Sequence, residues 1–305
     1  MTIPRIDYVM PCAIIVTFNP DPVFRNYLEK IRSRFAITFI VDNGSKGKSL
    51  EMLKGLPPDN IRLLEMGWNT GLGTALNHGV STAKAEGYRW AVLFDQDTEP
   101  LEDMVRYFSN ILSEHPTPEK IAIIGSRFQD RNRESYVRSN SPKASDNSCS
   151  WREKRRVITS GSLISMEAYG AIGPFREDLF IDSIDHEYCY RARMKGWCVL
   201  QTTQTLVSHS VGNYKKYSLL GIEIWRSHHS AVRCFFITRN RMLLARERRE
   251  YGKLLGGVFD AVKNSLLVLL FEEDKLGKIR ANLSGYVAGA TENNSIPDWI
   301  RKKLD

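Results

Sequence analysis

Short apolar runs alternate with amphipathic segments over the first two thirds of the chain. Ala13-Ile14-Ile15-Val16-Thr17-Phe18 predicts a strand, residues 23–35 a helix, and Ile37-Thr38-Phe39-Ile40-Val41 a second strand closing in Asp42-Asn43-Gly44-Ser45. Strand, helix and strand in that order make a βαβ unit with parallel strands. Ile61-Arg62-Leu63-Leu64 predicts a short third strand, residues 73–85 a helix, residues 90–94 a fourth strand and residues 121–125 a fifth. The expected fold is α/β with a mostly parallel central sheet. In such sheets ligands bind beyond the carboxyl ends of the strands, so the loops at Asn19, Asp42 and Asp95 should converge on one crevice.

The pattern fails over residues 129–156, which are rich in Arg, Lys, Ser and Asn and nearly free of aliphatic residues. A segment of that length and composition is expected to be a mobile lid that orders on ligand. Val157-Ile158-Thr159-Ser160-Gly161-Ser162-Leu163-Ile164 resumes as a strand, and from Trp225 onward the chain reads as helix. Val232, Phe235, Phe236, Met242 and Leu243 mark one apolar helical face; Leu254, Leu255, Val258, Phe259, Val262 and Leu266 mark another. The expected division is a catalytic-type α/β domain over residues 1–225 and a helical region over 226–305.

With 305 residues, 42% of them hydrophobic, the chain can bury a large core. No N-terminal stretch has the order of a signal peptide, and no uninterrupted apolar run approaches bilayer length, the longest being residues 266–271. Five scattered cysteines without a CxxC pair argue against a disulfide framework or a zinc site and fit a reducing cytoplasm. The formal charge of +8 points to an anionic partner: nucleic acid, an acidic lipid leaflet or a phosphorylated substrate. No nucleic-acid-binding module is legible, and the basic residues are not interleaved with aromatics on a strand face.

The chemistry-bearing stretch is Ala91-Val92-Leu93-Phe94-Asp95-Gln96-Asp97-Thr98-Glu99-Pro100. Strand geometry aims residues i and i+2 to one side, so Asp95 and Asp97 form either a pair of hard oxygen ligands for Mg²⁺ or Mn²⁺, or a solvated acidic turn. Asn69-Thr70-Gly71-Leu72-Gly73 precedes a helix but lacks the third glycine of a dinucleotide fingerprint, which excludes NAD. Its freed amides suit a phosphate or sugar, or simply a loop-to-helix turn. Asp182-Ser183-Ile184-Asp185-His186-Glu187 opens a further helix, with Asp185 at its positive end as cap or reactive group and Glu187 spaced to pair with Arg191. His209 follows a β-like run and is either a metal ligand or structural. Arg239 is either a phosphate clamp or a solvated edge.

In this order the motifs resemble the family 2 glycosyltransferases of the GT-A fold, the nucleotide-diphospho-sugar transferase fold. Within that family they resemble the bacterial rhamnosyltransferases that build O-antigen, lipopolysaccharide and related polysaccharides. The match is carried by Val16-Thr17-Phe18-Asn19, Val41 through Ser45, Asn69 through Gly73 with Asn77, Phe94 through Thr98, Ser160-Gly161, Phe180-Ile181-Asp182, Asp185-His186-Glu187 with Arg191, His209 and Arg239-Asn240.

The resemblance implies an inverting, metal-dependent enzyme that moves L-rhamnose from dTDP-β-L-rhamnose to a hydroxyl of a glycan, commonly linked to a polyprenyl diphosphate. Thr17, Asn19, Asp42, Asn69, Gly71, Asn77, Asp95 and Arg239 would bind the nucleotide. Asp95, Asp97 and His209 would hold Mg²⁺ or Mn²⁺, Asp185 would be the base, and Asp182, Ser160, Gly161 and Glu187 would contact acceptor or support the site. Ile184 departs from the pattern by replacing the usual Glu before the base. The implied setting is the cytoplasm, at the inner face of the inner membrane. A different dTDP- or UDP-sugar is the alternative donor; a basic nucleic-acid-binding protein is the remote alternative.

Overall fold

The structure is a computed structural model that describes residues 10–101, 103–131, 149–209, 215–219, 222–291 and 296–304. The chain forms two compact units, Met1–Arg176 with Asp185–Ser210, and Glu177–Ile184 with Val211–Asp305.

The first unit is built on a sheet of strands β1 (Cys12–Thr17), β2 (Thr38–Asp42), β3 (Ile61–Glu65), β4 (Trp90–Asp95), β5 (Glu99–Pro100), β6 (Ile121–Asp130), β7 (Trp151–Glu153), β8 (Ser162–Ser165) and β9 (Cys198–His209). Its spatial order is β3-β2-β1-β4-β8-β6-β9-β5, with β7 also on β9. Helices α1 (Phe24–Arg32), α2 (Gly47–Lys54), α3 (Leu72–Ala85), α4 (Met104–Glu114), α5 (Met166–Ile172) and α6 (Ile184–Met194) connect the strands. β1 and β2 are buried along their whole length, which accounts for their unbroken apolar runs. Phe24, Leu28 and Ile31 put the apolar face of α1 into the core with Ile15, Phe94 and Phe108.

β3, β2, β1 and β4 run parallel, as expected. β8, however, pairs antiparallel with both β4 and β6, and β5 and β7 pair antiparallel with β9, so antiparallel strands join the parallel set. Apolar runs reveal strands but not their direction. The strand expected from Val157 begins only at Ser162, because residues 159–161 make a turn in which the Ser162 amide donates to the Thr159 carbonyl at 2.9 Å. The expected lid falls mostly on residues 132–148, outside the described residues; within its bounds Gln129 and Asp130 end β6 and Trp151–Glu153 form β7 on β9, so those stretches belong to the sheet instead.

The second unit contains β10 (Lys215–Leu219) antiparallel to β11 (Ile222–Arg226), then α7 (Ala231–Glu247), α8 (Tyr251–Phe271), α9 (Lys275–Ala290) and α10 (Asp298–Arg301). Helix does not start at Trp225 as expected, because β11 runs through Arg226 and α7 begins only where the Ser230 hydroxyl accepts from the Arg233 amide. A Cβ at Gly289 would lie 2.2 Å from the Arg239 carbonyl, so α9 approaches α7 at a distance that only glycine permits.

The reading that no segment has bilayer length is corrected by α8, which is long and apolar enough to cross a membrane by length and composition. Lys253, Asp260 and Lys263 interrupt its apolar runs, and counting unbroken runs therefore missed it.

Candidate active site

The carboxyl ends of three adjacent parallel strands bring Thr17, Asp42 and Asp95 to one edge, with Thr17 opposite Asp42 and Val16 opposite Asp95. Asp42 is buried, and its carboxylate accepts from the Thr17 hydroxyl at 3.3 Å, the Ser45 amide at 3.0 Å and the Ser45 hydroxyl. The Ser45 hydroxyl in turn accepts from the Asn19 amide at 2.8 Å, and Asn19 Oδ1 accepts from the Lys46 amide at 2.9 Å. Asn19 has φ 46 without being glycine, a conformation that such a network of bonds holds in place and that clusters at functional sites.

Asn43 extends the network by donating to Asn69 Oδ1 at 3.1 Å and accepting from the Thr70 amide and hydroxyl, both at 2.9 Å. Gly71 donates its amide to Asn69 Oδ1 at 3.2 Å and starts α3. The sequence-derived residues Thr17, Asn19, Asp42, Asn69 and Gly71 therefore belong to one hydrogen-bonded rim.

Two further residues expected at the nucleotide are engaged by protein groups within their own units. Asn77 is buried in α3, where its amide donates to the Phe175 carbonyl at 2.9 Å and its carbonyl accepts from the Tyr169 hydroxyl at 2.8 Å and the Phe175 amide at 2.9 Å. Those bonds tie α3 to the chain after α5 and give Asn77 a structural task. Arg239 is 2% exposed within the second unit, donating to the Asp178 carbonyl at 2.8 Å with its guanidinium over the Phe236 ring. It is buried rather than a solvated edge.

Asp95, Asp97 and His209 come together as the sequence suggested. Each offers one ligand atom, and these atoms lie within 4.8 Å of one another. Asp97 Oδ1 is 3.2 Å from His209 Nδ1, and Asp95 Oδ2 is 3.7 Å from Nε2. Burial pushes the His209 imidazole pKa down, but the hydrogen bond to Asp97 and the charges of Asp95 and Asp97 outweigh it, so the pKa is raised above 6.5. The two carboxylates supply the hard oxygens that suit Mg²⁺ or Mn²⁺, while the imidazole nitrogen is a donor that Mg²⁺ seldom takes and a transition metal accepts more readily.

Ser160 and Gly161 stand behind this cluster. The Ser160 hydroxyl accepts from the Asp95 amide at 3.0 Å and lies 2.5 Å from Thr98 Oγ1, while Gly161 donates its amide to the Leu93 carbonyl at 2.7 Å. Gly161 has φ 74, and a Cβ there would meet Val207 at 2.8 Å, so larger residues are excluded.

Four further residues had no role assigned from sequence. Thr98 Oγ1 reaches His209 Nδ1 at 3.0 Å, Gln96 Oε1 accepts from the Phe18 amide at 2.8 Å, Ser45 bonds Asp42, and Arg131 donates to the Asp97 carbonyl. Thr98, Gln96 and Ser45 sit inside the motifs already quoted. Their hydroxyl and amide chemistry beside ligand-type carboxylates was the available signal.

Asp185 lies in the first turn of α6, where Oδ1 accepts from the His186 amide at 2.7 Å. Glu187 is buried and takes Arg191 Nε in both oxygens, at 2.7 and 2.9 Å; Arg191 also donates to the Ile172 carbonyl at 3.0 Å and the Pro174 carbonyl at 2.7 Å. That pairing was expected and makes Glu187 structural. Asp182 belongs to the second unit and accepts from Arg233 Nε at 3.3 Å.

A family model described as Glycosyl transferase family 2 matches residues 12–173. The dTDP-rhamnosyl transferase RfbF of Shigella flexneri is 28% identical over 293 residues, covering 91% of this chain and 94% of that protein. Among solved structures, TarS of S. aureus aligns with a TM-score of 0.50 at 12% identity, over 67% of this chain and 37% of its own. GalNAc-T7, solved with UDP, GalNAc and Mn²⁺, aligns with a TM-score of 0.50 at 14% identity, over 70% of this chain and 44% of its own. At these identities the likeness is one of fold, and this chain spans less than half the length of either structure.

Proposed function

The chain belongs to glycosyl transferase family 2, and from that premise we propose that it transfers L-rhamnose from dTDP-β-L-rhamnose to a glycan hydroxyl with inversion at C1. The observation that carries the donor assignment is the likeness to a dTDP-rhamnosyl transferase over nine tenths of the chain. The pathway this suggests is O-antigen or related cell-surface polysaccharide synthesis.

In this reading the rim of Thr17, Asn19, Asp42, Asn69 and Gly71 receives the nucleotide, and Asp95 stands at its inner end. A divalent cation held by Asp95, Asp97 and His209 would neutralise charge developing on the departing diphosphate. Asp185 takes the proton of the acceptor hydroxyl as that oxygen forms its bond to C1. The bond from C1 to the diphosphate breaks on the opposite face, its electron pair leaves with dTDP, and an α-L-rhamnoside results. Glu187 and Arg191 brace the first turns of α6, which carry Asp185.

The acceptor in this reading is a saccharide on a polyprenyl diphosphate, reached at the cytoplasmic face of a membrane. Helix α8 supports that setting. Tyr251, Leu255, Val258, Phe259, Val262, Leu266, Leu269 and Leu270 are all exposed at helical spacing, with exposed Lys253 and Lys263 on the same helix. Such a face suits an interfacial helix on anionic lipid.

The test incubates the purified protein with a panel of dTDP- and UDP-sugars and a panel of acceptors, phenyl glycosides and polyprenyl-diphosphate-linked saccharides, and measures nucleotide release. dTDP-rhamnose should be the donor consumed, with turnover lost in EDTA and restored by Mg²⁺ or Mn²⁺. Consumption of a UDP-sugar in its place would overturn the donor, and full activity in chelator would remove the metal.

A further inference from the structure

Strand β4 stops at Asp95. Residues 95–98 form a turn, closed where the Thr98 amide donates to the Asp95 carbonyl at 3.1 Å, with Gln96 and Asp97 at its centre. The neighbouring β1 lies between β2 and β4 and leads straight into Phe18 and Asn19. The Thr17 carbonyl is taken on the β2 side by the Asn43 amide at 2.8 Å, so the next amide, that of Phe18, faces the β4 side. There the β4 backbone has turned away, and the side-chain carbonyl of Gln96 takes its place, accepting from the Phe18 amide at 2.8 Å.

This bond joins two groups of ligand-type side chains within the first unit. On one side the turn carrying Asp95 and Asp97 is pinned, because the Asp95 amide donates to the Ser160 hydroxyl at 3.0 Å and Thr98 Oγ1 lies 3.0 Å from His209 Nδ1. On the other side Phe18 is followed by Asn19, held at φ 46, whose amide donates to the Ser45 hydroxyl at 2.8 Å. That hydroxyl donates in turn to the buried Asp42 carboxylate. From Asp97 to Asp42 each step is a covalent link or one of these hydrogen bonds.

We propose that Gln96 is a positioning residue that couples a cation at Asp95, Asp97 and His209 to a nucleoside on the rim of Thr17, Asn19 and Asp42. This rests on the glycosyltransferase reading above, which supplies the nucleoside. A cation that draws the two carboxylates towards His209 stills the turn, and through Gln96 it stills the Phe18 amide and the strained residue after it. The nucleoside then meets Asn19 already ordered and loses less freedom on binding. By linkage the nucleoside tightens the cation by the same factor.

A diphosphate would bridge to the cation directly and mask this effect, so the probes are Mn²⁺ with thymidine or uridine, which carry no phosphate. Calorimetry on the full chain measures each nucleoside with and without saturating Mn²⁺. The one that binds more tightly should gain about 3- to 10-fold from Mn²⁺, the scale of one hydrogen bond's net contribution. Amide exchange over residues 17–20, which include none of the three cation-binding side chains, should slow on adding Mn²⁺ alone.

Gln96→Met keeps the length but offers only a weak thioether acceptor, so the gain from Mn²⁺ should vanish. Gln96→Glu keeps an oxygen for the Phe18 amide, so the gain should persist even though the added charge tightens Mn²⁺ itself. A merely structural Gln96 would weaken the nucleoside equally with and without Mn²⁺, and an undiminished gain in Gln96→Met therefore overturns the proposal. If that variant fails to fold by circular dichroism, exchange in the wild-type chain decides: slowing over residues 17–20 with Mn²⁺ supports the coupling, and its absence overturns it. A wild-type chain that binds Mn²⁺ and nucleoside independently also overturns it, while leaving the glycosyltransferase reading intact. A wild-type chain that binds neither nucleoside at any Mn²⁺ concentration refutes the nucleotide rim itself, and the coupling with it.

Discussion

The hydroxyl of Thr98 lies 3.0 Å from Nδ1 of His209, a residue 111 positions away in the chain, and 2.5 Å from the hydroxyl of Ser160. Thr98 is completely buried, so it ties the loop carrying Asp95 and Asp97 to the end of β9. Groups that orient ligands in this way typically change metal affinity by about 10- to 100-fold when removed. Thr98→Val keeps the shape and deletes the hydroxyl. Its Mn²⁺ affinity, read by calorimetry, should fall by about that factor with the fold retained. Unchanged affinity would show that Asp95, Asp97 and His209 do not act together on a cation.

A second prediction concerns α8. Phe259 and Leu266 are 78% and 57% exposed on its apolar stripe. The protein should float with vesicles containing phosphatidylglycerol, more weakly at high salt, and be released by alkaline carbonate as an interfacial helix would be. The double variant Phe259→Glu with Leu266→Glu should lose flotation while keeping dTDP affinity. If flotation is unaffected, or if the same substitutions convert a dimer to a monomer in light scattering, the stripe serves another purpose.

Burial of Glu272 sets a third. Its carboxylate accepts from Lys278 Nζ at 2.8 Å and Arg226 Nε at 2.6 Å. Burial alone would raise its pKa, but these two cations outweigh that and hold it below 4.5. The group therefore stabilises the fold fully above about pH 4.5, and that stability is lost as pH falls through the lower folded-state value. Urea unfolding should show a steeper acid loss for the wild type than for Glu272→Gln. At neutral pH the variant should cost about 3 kcal/mol, because it leaves the buried Lys278 and the partly exposed Arg226 without a counter-charge. Identical acid profiles would show that the triad contributes nothing to stability.

What the sequence made legible were the strand ends. Thr17, Asp42 and Asp95 follow unbroken apolar runs, and a buried parallel strand that stops in a polar residue leaves that residue at the sheet edge. Asp95 and Asp97 were recoverable as hard oxygen ligands at such an end, whereas His209 joined them only through the family resemblance. The surroundings of Asn77 and Arg239 were hidden for one shared reason. A polar residue on a helix near motif residues gives no sign of which way it faces, and both turned out to satisfy buried carbonyls. The direction of β8 and the bond between Phe18 and Gln96 were not legible, because both depend on pairings between segments far apart in the chain.

The last prediction separates two roles for Asp185. Its Oδ1 accepts from the His186 amide at 2.7 Å, in the first turn of α6, which suits a residue that stabilises a helix start. As base, the same carboxylate must also take a proton from the acceptor. Asp185→Asn keeps the size and an oxygen that can accept from His186, and losing the attraction of a first-turn carboxylate to the helix start costs only about 0.3–1 kcal/mol. Melting temperature and dTDP affinity should therefore survive. Asn cannot take the proton, so transfer should fall by roughly 10² to 10⁴, the usual contribution of a positioned general base. Glu187→Gln is the informative comparison. It weakens the two-oxygen hold on Arg191 and should lower stability more than it lowers the chemical step in the protein that remains folded. Near-normal transfer by Asp185→Asn at saturating donor would make the carboxylate a helix-start residue only, and the search for the base would move to Asp182.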